Sequence, residues 1–153
     1  MYNESMGNEE KIREFFVKYA ERFNNALQDP PVVDVDGVVN SFASFFLEAS
    51  PVGVLGGPND TAFRERIAQG FSFYKNIGTT SMRIATLNIE PLDEYHSTAK
   101  VHWDSHYKKK DGSDEHIEFD VIYFIQTLIG QPKIFAYVTG DEQKVLKERG
   151  LVQ

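Results

Sequence analysis

The side chains of this 153-residue sequence whose types and spacing could do chemistry fall into two groups. In the first, His102, Asp104 and His106 alternate along one run, with Glu118 and Asp120 in the next. Imidazoles two apart on a strand can both reach one metal ion, and a carboxylate could complete a zinc or iron site. The same residues suit a solvated or partner-covered sheet face whose charges pair across strands, as His106 would with Glu118. The second group is a set of rings, Tyr19, Phe23, Trp103, Tyr107, Phe119, Tyr123, Phe135 and Tyr137, with Phe15 nearby and with Glu48 and Ser50 as polar neighbours. Such a lining suits a flat apolar or aromatic ligand oriented by tyrosine hydroxyls. The rings could equally fill a core and leave no cavity, and Glu48 and Ser50 could cap a turn or face water.

Other chemistries are excluded by composition. With no cysteine there is no disulfide, thiolate metal site or cysteine nucleophile. Gly53, Gly56 and Gly57 lack the Gly-Lys-Ser/Thr of a phosphate loop. A formal charge of -7 argues against a nucleic-acid surface, and Lys108-Lys109-Lys110 sits beside Asp111 and Asp114 as a solvated tip. The amino terminus, MYNESMGNEEKIREFF, is polar where a secretion signal needs an apolar run. No stretch is long and apolar enough to span a membrane, so a cytoplasmic chain is expected.

The elements that must position these groups follow from periodicity. Ile12, Phe15, Phe16, Tyr19, Phe23, Ala26 and Leu27 recur at three and four, which predicts a helix over 9–27 with Asn8 as N-cap and Asp29-Pro30-Pro31 as stop. A second helix is expected from Asp34 or Asp36 to Phe46, then an extended piece from Ser50 to Pro58. A third helix is expected from Thr61 to Ile77, ended by Gly78. After Gly78 the period becomes 2, which predicts strands over 80–91, 97–109, 117–128 and 133–139, and a closing helix over 141–149. Helices followed by an antiparallel meander define an α+β fold, read as a single domain over 1–153.

Alternation assigns Val101, Trp103, Ser105 and Tyr107 to one sheet face, with Ile117, Phe119, Val121, Tyr123 and Ile125 from the next strand. A three-residue tip at Asp111-Gly112-Ser113 sets Lys110 opposite Asp114, Trp103 opposite Val121 and Asp104 opposite Asp120. Like charges across a ladder are destabilising, so a histidine, proton, cation or partner's lysine is expected there. Ile122 and Phe124 on the same outer face point to a homodimer through His102, Asp104, His106, Asp120, Ile122 and Phe124.

Arg22-Phe23 late in the first helix, Ser50-Pro51-Val52-Gly53, Phe119-Asp120-Val121-Ile122-Tyr123 and Pro132-Lys133-Ile134 occur in this element order. In this the chain resembles the nuclear transport factor 2-like domains that include ketosteroid isomerases and polyketide cyclases. The resemblance implies a cone-shaped fold, with N-terminal helices packed on a curved, mainly antiparallel sheet around a pocket and a dimer on the convex face. It also implies an isomerase site of an aspartate base, a helix tyrosine and a protonated strand aspartic acid. On those positions stand Ser50, Phe23 and Tyr123. An unassisted serine cannot abstract a carbon-bound proton, Phe23 donates nothing, and Tyr123 keeps one hydrogen-bond donor. The expectation is therefore a small-molecule-binding protein with no catalytic set, no metal and no cofactor. The rivals are an isomerase, cyclase or hydrolase using Tyr123 with Glu48 or a histidine, and a purely structural dimer module.

Overall fold

Apolar spacing opens the chain as a long helix, α1 (Glu4–Ala26), which buries Ile12 and Phe16 completely and Tyr19 and Phe23 in part. The computed structural model describes residues 4–153, with side chains from residue 7, so the start of the polar amino terminus lies outside it. The helix begins ahead of Asn8, so Asn8 is not its cap. Its amide instead donates to the Glu94 carbonyl at 3.0 Å.

The expected second helix stops early. A single turn, α2 (Val35–Val39), is capped by Asp34, whose carboxylate accepts from the Gly37 N–H at 2.9 Å. Phe42–Ser50 is a strand, β1, rather than the helix's continuation. Phe42, Phe45 and Phe46 have helical spacing, but strand pairing on both sides overrides it: β1 lies between β2 (Gly53–Pro58) and a later strand. Phe42 and Phe46 reach the core, while Phe45 is left exposed.

Asp60 caps α3 (Thr61–Asn76), accepting from the Phe63 N–H at 3.0 Å. Gly78 (φ 94) then turns the chain where a Cβ would collide with the Lys108 carbonyl. The meander follows as β3 (Thr79–Pro91), β4 (His96–Lys108), β5 (Asp114–Leu128) and β6 (Gln131–Val138). Helix α4 (Glu142–Glu148) closes the chain, capped by Asp141. The sheet order is β2-β1-β6-β5-β4-β3; only β1 and β6 are parallel neighbours. Helices α1 and α3 pack on one sheet face, and the core lies between, so the architecture is α+β with a mixed, mainly antiparallel sheet.

The alternation of β4 and β5 holds: Val101, Trp103, Ser105, Tyr107, Ile117, Val121, Tyr123 and Ile125 are buried. The register differs from expectation. The connection runs from Lys109 to Ser113, closed by Lys109 N–H to the Ser113 carbonyl at 2.8 Å, so Lys108 and not Lys110 faces Asp114. Trp103 then faces Phe119, Asp104 faces Glu118, and Asp120 faces His102. A slip of two residues leaves every side chain on its expected face but changes every partner.

In β6 the ladder slips by one residue opposite Phe124 and Ile125, so Ile134 and Tyr137 share the inner face although three residues apart. That bulge turns Phe135 outward, where its ring lies 6.0 Å from Phe124 and 5.9 Å from His96. The expected inward Phe135 is thereby corrected. No helix among the described residues is long and apolar enough to cross a membrane.

Helix α1 is tied to β3 by one amide side chain. Asn24 donates to the Met82 carbonyl at 2.7 Å and accepts from the Met82 N–H at 2.8 Å. These are the backbone groups that β3, an edge strand, turns away from β4. Asn24→Ala leaves both part-buried groups without a protein partner and is expected to destabilise the fold by about 2 kcal/mol. In urea unfolding the midpoint should fall with the slope unchanged; an unchanged midpoint would remove the clamp from the stability argument.

Candidate functional site

The inner face of the sheet meets α1, α3 and the β6–α4 connection around a recess of about 380 Å³. Its floor is Trp103, Phe119, Val121, Tyr123 and Tyr137 from the sheet, with Tyr19 and Phe23 from α1 and Met82 from β3. Glu48 and Ser50 reach it from β1, because Glu48 pairs with Tyr137 in the parallel ladder and shares its face. Ser50, Phe23 and Tyr123, the positions picked out by the isomerase resemblance, all line this one recess.

Two expected residues lie elsewhere. Tyr107 is buried under α4 with Ile117 and Leu146, two pairs nearer the hairpin than Trp103, in a satellite core. Phe135 is on the outer face, as described above. Phe15 stays on the far side of Tyr19, stacked against it at 6.2 Å.

The floor is a network of phenols kept neutral. Trp103 Nε1 donates to the Tyr123 hydroxyl at 3.2 Å. Burial pushes the Tyr123 phenol well above its ordinary pKa, more than the indole hydrogen bond lowers it. Burial likewise pushes Tyr19 up to about 12 and raises Tyr137, where the Glu48 charge adds to the effect. These groups are hydrogen-bond donors, not bases. Ser50 spends its hydroxyl on the turn, accepting from the Val52 N–H at 3.3 Å.

The rim carries a carboxylate that pattern reading missed. Glu142, in the first turn of α4, accepts from the Tyr74 hydroxyl through both oxygens, at 2.6 and 2.7 Å. The open rim leaves the residue reachable by water, yet the carboxylate is hemmed in by protein. Lost hydration raises its pKa, the Tyr74 bond offsets part of this, and repulsion from Glu48 adds to the rise. Tyr74 lies within the helix expected over Thr61 to Ile77. Glu142 carried no sequence signal beyond its place in a helical first turn. No histidine lines the recess, so the histidine of the rival enzyme reading has no place there.

On the outer face His102 takes a carboxylate on each side, Asp120 at 2.7 Å from Nδ1 and Glu118 at 3.1 Å from Nε2. Hydrogen bonds to Asp120 and then Glu118 raise its pKa. The expected partner of His106, Glu118, is replaced by Asp104 at 3.2 Å. His116, directly opposite His106, also reaches Asp104. It was missed because β5 begins at Asp114, before the expected Ile117; the alternation of Glu118 and Asp120, continued backwards, puts it on this face.

Comparison with solved structures finds the same architecture at low identity. An NTF2-like protein with a cystatin-like fold from Novosphingobium aromaticivorans matches with a TM-score of 0.68 and 13% identity, over 97% of this chain and 90% of its own. A second protein from that organism, named for scytalone dehydratase, matches with a TM-score of 0.66 and 10% identity, over 91% and 87%. A nuclear transport factor 2 (NTF2-like) superfamily protein from Salmonella enterica matches with a TM-score of 0.61 and 14% identity, over 88% and 90%. No curated protein matches by sequence. Residues 8–142 match the family described as NTF2-like protein (DUF6841). With that match spanning most of its length, the chain belongs to this family of NTF2-like proteins.

Proposed function

We propose that the recess binds a small, largely apolar or aromatic molecule and that the chain is one ligand-binding domain built round it, its sheet curving as a cone. The observation that carries this reading is the cavity of about 380 Å³, floored by rings and rimmed by Glu48, Ser50 and Glu142. Ligand sites are concave, mostly apolar and roughly 300–1,000 Å³, with a few polar groups that set orientation. Neutral phenols of Tyr19, Tyr123 and Tyr137 supply such groups.

In the same proposal two copies pair through the outer sheet face. Ile122 and Phe124 form its apolar centre, and His102, Asp104, His106 and Asp120 its polar flank. Phe135 beside Phe124 and the exposed Phe45, Leu47 and Val138 on β1 and β6 support it, because a contiguous apolar patch on a sheet face favours association.

A second reading, catalysis of the isomerase, cyclase or hydrolase kind, is favoured by Glu142 alone. A carboxylate whose pKa is raised by lost hydration can act as general acid or base, with Tyr123 as a hydrogen-bond donor to developing charge.

Trp103 is the chain's single tryptophan and lies in the recess floor, so it reports occupancy. Titration with a panel of naphthols should change its fluorescence saturably, and Val52→Trp with Trp103→Phe, which crowds the mouth, should weaken that binding at least about tenfold. No saturable response across the panel would sink the binding reading. Light scattering should give the mass of two chains for the parent and one for Phe124→Asp; a parent monomer at micromolar concentration would end the dimer proposal.

Carboxyl NMR should place Glu142 above an ordinary glutamate, about 4.3. Glu48→Gln should lower its pKa by removing the repelling charge, and Tyr74→Phe should raise it. A raised native pKa means that this group's contribution to stability is present at low pH and is lost as pH rises through the native value. The stability curve of Glu142→Gln should therefore fall less over that window, and an unchanged curve would argue that the carboxylate is fully hydrated.

A further inference from the structure

We propose that Asp104, His106 and His116 form a divalent transition-metal site on the outer sheet face, at the hairpin end of β4 and β5. One donor atom from each, a carboxylate oxygen and two imidazole nitrogens, lies within 4.8 Å of the others. The ladder places them: His106 pairs with His116 and Asp104 with Glu118, one rung beyond the next, so one face brings the two imidazoles and the Asp104 carboxylate together.

Three observations favour a cation over ordinary charge pairing. First, both histidines aim the same nitrogen, Nε2, at the same oxygen, Asp104 Oδ1, from 3.2 and 2.5 Å. Second, that oxygen is closed to water, so these two imidazole nitrogens are what it meets there. A shared metal ion satisfies it together with both nitrogens. Third, the two rings stack with centroids 4.7 Å apart and planes 23° apart. The two imidazoles therefore stand face to face, both directed at one carboxylate oxygen.

The dimensions fit zinc. With bonds of about 2.0–2.2 Å, tetrahedral ligand atoms stand roughly 3.3–3.5 Å apart. The Asp104–His106 separation of 3.2 Å is already there, and His116, on an exposed side chain, has only to withdraw by about an ångström from Asp104. Glu118, whose Oε2 is 4.0 Å from His116 Nε2, lies outside this group of three, and a water would complete the set. His102 is outside it, already held by Asp120 and Glu118. Two nitrogens and a carboxylate oxygen select zinc or a neighbouring transition ion over magnesium or calcium.

The test uses zinc chloride alone on full-length protein freed of metal with a chelator. Calorimetric titration should show one zinc ion per chain. His106→Ala, His116→Ala and Asp104→Asn should each weaken binding at least about tenfold, while His96→Ala, on the same face at the far end of β4, should leave it unchanged. Circular dichroism of the metal-free variants keeps a folding defect apart from a lost ligand. In the parent, nitrogen NMR should show zinc shifting the Nε2 signals of His106 and His116 and not those of His96. Absence of stoichiometric zinc binding, or binding indifferent to all three substitutions, would overturn the proposal.

Discussion

The pairing of β4 with β5, fixed where Lys108 meets Asp114, is the constraint on which both faces of the molecule depend. A strand's side chains alternate, so this ladder decides at once what is dry and what is wet. On the inner side it stacks Trp103 beside Phe119 and brings the indole to the Tyr123 hydroxyl. On the outer side it lines up imidazoles against carboxylates. The hydrophobic pattern specifies the face and tolerates a slip of two; the turn selects among the registers that remain. Here the turn is closed by Asp111, which accepts from the Ser113 N–H and hydroxyl, and by Gly112 at φ 89.

That division explains what could be seen in the sequence. The long helices were legible because stripes and stops are local: the Ile12 to Leu27 stripe and the stop at Gly78 need no partner to be read, although the cap expected at Asn8 does not form. The strands of the meander and their faces were legible for the same reason. What escaped depends on contacts distant in sequence. Phe42 to Phe46 carries a helical pattern, and only pairing with β2 and β6 makes it extended. Phe135 faces outward because of one extra residue in β6, which no alternation rule announces. Glu142 reaches the recess because α4 folds back over the sheet, and His116 meets Asp104 only in the register that the turn sets. The inner rings were recognised as a set, although two of those named lie outside the recess.

The recess and the outer face use the same residue types to opposite ends. Inside, scarce water favours the neutral form of the buried groups: the phenols keep their protons, and lost hydration, with repulsion from Glu48, raises the pKa of Glu142. Outside, charge is stabilised by close opposite charge, as His102 shows between two carboxylates. A guest entering the recess displaces more of the remaining water at the rim and would strengthen the electrostatic coupling between Glu48 and Glu142.

The Asn24 clamp has a further consequence for how copies of this chain can meet. A sheet's outermost strand offers unpaired backbone groups to any passing strand, which is the route to uncontrolled stacking. On β3 the groups of Met82 are already taken by an amide that imitates a neighbouring strand, and the irregularities near Thr79 and Ile84 break the straight template elsewhere. The opposite border, β2, is short, has glycines at 53, 56 and 57 and ends in Pro58, which makes it a poor seed for continued pairing. With both borders blunted, the sheet is held back from growing sideways into fibres.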